Sequence, residues 1–241
     1  MKSYVENCVN LMKHEYENNP RRIRSDYNRE LEAIEIYKGR ELLELIQNAD
    51  DELLEGMSKD IRLSFIDNVL TVSNNGTPFS EEGIDSLMIS DLSSKTHKQD
   101  VIGNKGKGFR AILGWAKEIK IFSGDLSVRF SYDYSQSVLG EIIKNTGNTS
   151  NGKPLKAATL VFPEWIGAPE NRSFTTDISI CVNDVEAVVN DIYKQLYDID
   201  CELLLFLNRA ECLIIETSEK TVSFLLMLNS PFLSSYTQTL I

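Results

Sequence analysis

Residues 40–51 read Arg40-Glu41-Leu42-Leu43-Glu44-Leu45-Ile46-Gln47-Asn48-Ala49-Asp50-Asp51. No glycine or proline interrupts them, and Leu, Glu, Gln and Ala favour a helix. At roughly 100° per residue, Leu42, Leu45, Ile46, Ala49 and Leu53 fall on one apolar stripe. Glu44, Asn48 and Asp51 fall on a stripe nearly opposite. One face can pack on a sheet while the other presents two carboxylates and an amide. Such an oxygen-rich row suits a hard cation such as Mg²⁺ and a polarised water. An amphipathic helix with a solvated acidic face has the same pattern, so the surrounding chain has to decide.

Upstream, residues 1–36 read as helical with a break at Asn18-Asn19-Pro20, and Arg21, Arg22 and Arg24 read as a solvated turn. The central helix is expected over 38–57, stopped near Gly56. Downstream, strands are expected at 61–66 and 69–73 about an Asp67-Asn68 turn. Asn74-Asn75-Gly76-Thr77-Pro78-Phe79 is a turn cluster, and Ser80 caps a short helix with Glu81 and Glu82 in its first turn. Residues 90–108 read as loop and 109–115 as a helix opening on its last glycine. A hairpin is expected over 119–122 and 126–134, a loop at 145–154, and a strand at 157–162. Asn183 is expected to cap a helix with Val185, Val188, Val189, Ile192 and Leu196 on its core side. Strands follow at 212–215 and 222–228. The apolar ending at Ile241 suggests one domain of a longer protein.

The chain has 241 residues, 42% hydrophobic and 25% charged, which is globular composition with enough length for a real core. No stretch approaches the ~20 apolar residues of a membrane span, and the first residues lack the apolar centre of a secretory signal. Cys8, Cys181, Cys201 and Cys212 form no CxxC pair, and His14 and His97 are the only histidines, so a Cys/His zinc site is not expected. A reduced, cytoplasmic setting is the simplest expectation. A net charge of −11 excludes a broad basic face for nucleic acid. Against that background Lys95, Lys98, Lys105, Lys107 and Arg110 stand together with only Asp100, which points to a local anionic ligand.

That basic stretch contains Gly103-Asn104-Lys105-Gly106-Lys107-Gly108, followed by Phe109. Glycines let backbone N–H groups converge on an anion, and a helix N-terminus adds partial positive charge. The spacing is GxxGxG, neither GxxxxGK[ST] nor GxGxxG. Glycines also serve plain turns, so order and spacing carry more weight. The chain gives an acid–amide–acid helix, a hairpin, Asn74-x-Gly76, then GxxGxGF, then Thr159 between apolar residues.

This order resembles the GHKL superfamily of ATPases, which includes gyrase, the large heat-shock chaperones, histidine kinases and MutL. It is most similar to the sacsin-like branch. There Glu44-Leu45-Ile46-Gln47-Asn48-Ala49-Asp50-Asp51, Asn74-Asn75-Gly76-Thr77-Pro78-Phe79 and Ser93-Ser94-Lys95 have their counterparts. The resemblance implies roles. Asn48 would bind Mg²⁺ and bridge it to the phosphates of ATP. Glu44 would orient and deprotonate the attacking water. Asp51 and Gly76 would line the nucleotide pocket. Lys95, Gly103, Lys105, Gly106, Lys107, Gly108 and Phe109 would meet the phosphates, and residues 91–108 would form a lid. Thr159 would lie beside the adenine. Asn74 stands where the superfamily usually has an aspartate that accepts from the adenine amino group. An amide can still accept through its oxygen, and its NH₂ can donate to a ring nitrogen, though without charge assistance.

The implied fold is an α/β two-layer sandwich, a mixed, mostly antiparallel sheet with helices on one face (the Bergerat fold of histidine-kinase-like ATPases). Residues 1–36 would be an N-terminal helical segment and 37–241 the ATP-binding domain. The implied function is Mg-dependent ATP binding and slow hydrolysis that drives a lid or dimer switch. The alternative is a nucleotide-gated interaction module without hydrolysis. A nucleotide-dependent homodimer and an effector domain or partner of unknown kind are further expectations. A histidine kinase is weaker, since Lys13-His14-Glu15 is a poor phospho-acceptor context. Asp50 and Glu41 are expected to be solvated, His97 to be a surface residue, and Trp115 to be core.

Overall fold

The computed structural model describes residues 1–89, 108–146, 154–183 and 185–225, together with the backbone of 234–238. The chain opens with α1 (Lys2–Asn18) and α2 (Pro20–Tyr37). Pro20 ends α1 but suits the first turn of α2, where its missing N–H costs nothing. The arginines expected in a solvated turn therefore lie in a helix. Arg22 pairs with Glu15 and, at 3.3 Å, with Asp26. α3 (Glu41–Glu52) is shorter than expected. Leu53 leaves the helix to form a bridge with Gly76.

β1 (Asp60–Ile66) and β2 (Val69–Asn74) form the expected hairpin. Asp67 and Asn68 both take positive φ, 51° and 59°, as a two-residue turn of right-handed twist demands. Ser80 caps α4 (Glu81–Met88), its Oγ accepting from the Gly83 amide at 3.2 Å. Residues Gly108–Gly114 form a 3₁₀ turn. β3 (Ala116–Ser123) and β4 (Leu126–Ser131) follow. The strand expected to reach residue 134 stops at Ser131, because the Ser131 hydroxyl accepts from the Tyr134 amide and starts α5 (Tyr132–Thr146). Val138, Leu139 and Ile142 give this helix its buried face.

Residues 157–162 are also not a strand. The buried Glu30 carboxylate takes the Thr159 and Leu160 amides at 2.6 and 2.8 Å, drawing them towards the helices into a 3₁₀ turn, Thr159–Val161. β5 (Glu164–Trp165) and β6 (Thr176–Val182) precede α6 (Glu186–Asp198). Val185, not Asn183, precedes the first turn of α6 and is exposed; Ile192 and Leu196 carry its buried face. A 3₁₀ turn, Cys201–Leu205, leads to β7 (Cys212–Thr217), β8 (Thr221–Leu225) and β9 (Ser234–Gln238).

The result is an α/β fold with one mixed sheet, ordered β5-β4-β3-β6-β2-β1-β7-β8-β9. Every pairing is antiparallel except β1 with β7. Leu63, Val72, Ile178 and Ile121 align across the central strands and are buried in one cluster with Leu42, Leu45 and Ile46 of α3. Arg62, Ser64, Thr71, Ser179, Lys120 and Arg129 are half-exposed on the opposite face. This alternation is what a sheet with one packed face requires. Val5, Cys8, Met12, Tyr16 and Ile23 belong to the same core cluster, so residues 1–36 pack with the sheet domain. Among the described residues no helix is long and apolar enough to cross a membrane.

Candidate functional site

The apolar rows of the sheet end in polar side chains at one edge of the core. Asn74 of β2 faces Thr176 of β6, and Thr176 faces Ser123 of β3. All three are buried on the helix side. The C-terminal half of α3 lies over this row. Asn74 Nδ2 donates to the Ala49 carbonyl at 3.3 Å, which leaves Oδ1 as the side chain's acceptor. The chain after Asn74 then runs close against α3. The Thr77 amide donates to the Glu52 carbonyl at 2.7 Å, and a Cβ at Gly76 would overlap that same carbonyl. Glycine is required there by contact, since only its hydrogen fits. Asn75 Oδ1 accepts from the Thr175 amide at 3.0 Å, and Ser123 Oγ accepts from the Phe79 amide at 3.0 Å.

These contacts frame a cavity of about 300 Å³. Asn48, Asp51 and Glu52 of α3 form one wall, and Gly83, Ser86 and Leu87 of α4 another. Val72, Asn74, Thr176 and Ile178 form the floor, and Phe79 and Phe109 close the sides. An apolar slot with a few convergent polar groups is the usual form of a small-molecule site. Asp51, Glu52 and Glu82 all lie on its rim.

The residues expected from sequence divide into groups. Asn48, Asp51, Asn74 and Phe109 line the cavity. Gly76 holds the turn beside it. Glu44 is one helical turn before Asn48 but outside the cavity lining. Its side chain is 15% exposed, 3.2 Å from Arg40, and so close to Gly108 that a Cβ there would overlap the carboxylate. Lys95, Gly103, Lys105, Gly106 and Lys107 lie outside the described residues, as do His97 and the rest of the expected lid before Gly108. Thr159 is not at the cavity; its amide is held by Glu30, and its carbonyl accepts from Ser135.

Five other side chains have roles their local sequence does not indicate. Asp50, expected to be solvated, is 1% exposed and accepts from the amides of Asn208, Arg209 and Ala210 at 2.7, 2.9 and 2.7 Å. Arg209 also donates to the carbonyls of Asp51 and Leu53, so one loop clamps the C-terminal end of α3. Glu41 is buried and accepts from Gln195 at 2.7 Å. Arg110, counted in the basic loop, is buried and donates to the Leu87 carbonyl at 2.6 Å, so its guanidinium is not at the surface. Glu30 has its carboxyl pushed up by burial, against the opposing effect of the two amides and Arg110. Trp115 is core, as expected, with its Nε1 on Asp191 at 3.0 Å.

Thr176 and Ser123 are at the site but were not expected from sequence. The alternation of Ile178, Ile180 and Val182 with polar residues is the signal that could have placed Thr176 at a strand start. No local signal singles out Ser123.

No family model matches the sequence. The chain is similar to Protein NO VEIN of Arabidopsis thaliana, 26% identical over 183 residues. The match covers 72% of this chain and 6% of that protein, so the chain spans a small part of its length. Among the described residues no three His, Cys, Asp or Glu side chains converge to hold a metal. Asn48 offers one neutral oxygen. Mg²⁺ fits such a donor as an ion that arrives with phosphates and keeps much of its water shell.

Proposed function

We propose that this chain is a Bergerat-type ATP-binding domain of the GHKL superfamily that binds Mg-ATP in the cavity between α3 and α4 and hydrolyses it slowly. The observation that carries the proposal is the convergence of Asn48, Asp51, Asn74 and Phe109 on one cavity. These residues come from three motifs well separated along the sequence. Asn74 Oδ1 is directed by the Ala49 bond to act as acceptor for an amino-substituted base, the role the usual aspartate has. Asn48 would hold the metal, and Mg²⁺ would neutralise charge on the transferred phosphoryl group. Glu44, on the same helical stripe, would take the proton of the attacking water. Residues 91–108 would close over the phosphates, and a nucleotide-dependent dimer remains part of the proposal.

A second reading rests on Glu44. Its carboxylate is paired with Arg40 and lies against Gly108 outside the cavity lining, an arrangement suited to binding without hydrolysis. The two readings separate in one experiment. Phosphate release from Mg-ATP is measured for the wild type and for Glu44→Ala, with calorimetric ATP binding to both. Hydrolysis predicts turnover by the wild type and binding without turnover by the variant. Binding by both with turnover by neither supports the nucleotide-gated module. Absence of ATP binding by the wild type refutes both.

A further inference from the structure

We infer that Ser123 is a positioning residue that aims the Thr176 hydroxyl proton into the cavity and so sets which edge of a base the floor accepts. The inference rests on the cavity being a nucleotide site. Ser123 is 1% exposed, and its Oγ has two partners among the described residues: the Phe79 amide at 3.0 Å and Thr176 Oγ1 at 2.6 Å. An amide can only donate, so Ser123 accepts from Phe79. If Thr176 also donated to Ser123, the Ser123 proton would be buried without an acceptor. Such an orphan donor is costly. Ser123 therefore donates to Thr176, and the Thr176 proton is left to point elsewhere. Thr176 lines the cavity, which is where that proton can find a partner.

Asn74 is cross-strand to Thr176, which puts their Cβ atoms ~5 Å apart. The Ala49 carbonyl holds one Asn74 amide hydrogen, and Oδ1 is left as the acceptor. The floor then presents an acceptor beside a donor. An adenine edge presents an amino donor beside a ring-nitrogen acceptor and matches it. A hypoxanthine edge presents a carbonyl acceptor beside an N–H donor and opposes it at both positions. Without Ser123 the Thr176 hydroxyl is free to accept as well as donate.

The test is calorimetric binding of Mg-ATP and Mg-ITP, which differ at this edge, to the wild type, Ser123→Ala, Ser123→Thr and Thr176→Val, and to Ser123→Ala combined with Thr176→Val. Thermal unfolding of each confirms folding. The wild type should prefer ATP by roughly tenfold or more, from two mismatched hydrogen bonds. Ser123→Ala should cut that preference by about fivefold, because one of the two contacts loses its direction. Ser123→Thr should keep it, and Ser123→Ala should leave the ratio unchanged when Thr176 is already Val. A purely structural Ser123 would weaken both nucleotides alike, and that result overturns the inference while ATP binding stands. A wild type that binds ATP and ITP equally also overturns it. A wild type that binds neither refutes the nucleotide reading itself, and the inference with it.

Discussion

Asp50 gives the sharpest test of the structure. Its Oδ1 accepts from the amides of Arg209 and Ala210, and its Oδ2 from that of Asn208. Replacing it by Ala leaves three donors without their acceptor. An orphaned buried donor costs about 1–3 kcal/mol. Only the Ala210 amide is in a fully buried bond, so water can reach the other two if the loop loosens. The expected loss is therefore about 3–5 kcal/mol for Asp50→Ala, a large part of a typical 5–15 kcal/mol stability. Asp50→Asn keeps one oxygen, enough for Arg209 and Ala210, but turns an NH₂ towards the Asn208 amide. Loss of one bond and of charge assistance gives about 2–3 kcal/mol. Urea unfolding should show lower midpoints with an unchanged slope, in the order wild type, Asn, Ala. A solvated carboxylate at this position would cost under ~0.5 kcal/mol. If both variants unfold within that margin of the wild type, the clamp on α3 is wrong.

Three further outcomes follow from other contacts. Gly76→Ala places a Cβ on the Glu52 backbone carbonyl, which cannot swing aside. It should cost about 2 kcal/mol or more in urea unfolding and weaken ATP binding by calorimetry, since the Asn74 turn must shift. Gly108→Ala instead meets the end of the Glu44 side chain, which can rotate. Its unfolding midpoint should stay near the wild type while phosphate release falls. Glu118 pairs with Lys120 and Arg129 at 3.0 Å each. Burial alone would raise its carboxyl, but the two cations outweigh burial and hold it below its ordinary value near 4.5. A depressed carboxyl contributes stability that is fully present above the ordinary value and lost as pH falls through its folded value. Thermal melts from pH 7 to pH 3 should fall less steeply for Glu118→Gln than for the wild type.

Much of the site was legible because its signals are local. The 3.6-residue period of Leu42, Leu45, Ile46, Ala49 and Leu53 fixes which face of α3 is buried, and all five are buried. The same period sets Asn48 and Asp51 off that stripe, and they line the cavity together with Ala49 at its border. Asp67-Asn68 makes its turn because both residues tolerate positive φ, and Ser80 caps α4 because its oxygen reaches an amide three residues on. Where a side chain met a partner far along the chain, local pattern misled. Asp50 carries a charge and so reads as solvated, yet three amides from residues 208–210 make its burial favourable. Thr159 sits among apolar residues as in a strand, yet Glu30 captures its amide. Tyr132 and Tyr134 continue the alternation of β4, yet the Ser131 hydroxyl turns the chain into α5. The parallel pairing of β1 with β7 and the row Asn74–Thr176–Ser123 have no local signature, because a strand's sequence records its buried face but not its neighbours. The sequence by itself determined the faces, the turns and the polar side chains available for chemistry. Only the tertiary structure decided which of them meet, because a buried hydrogen bond depends on the segments the fold brings together.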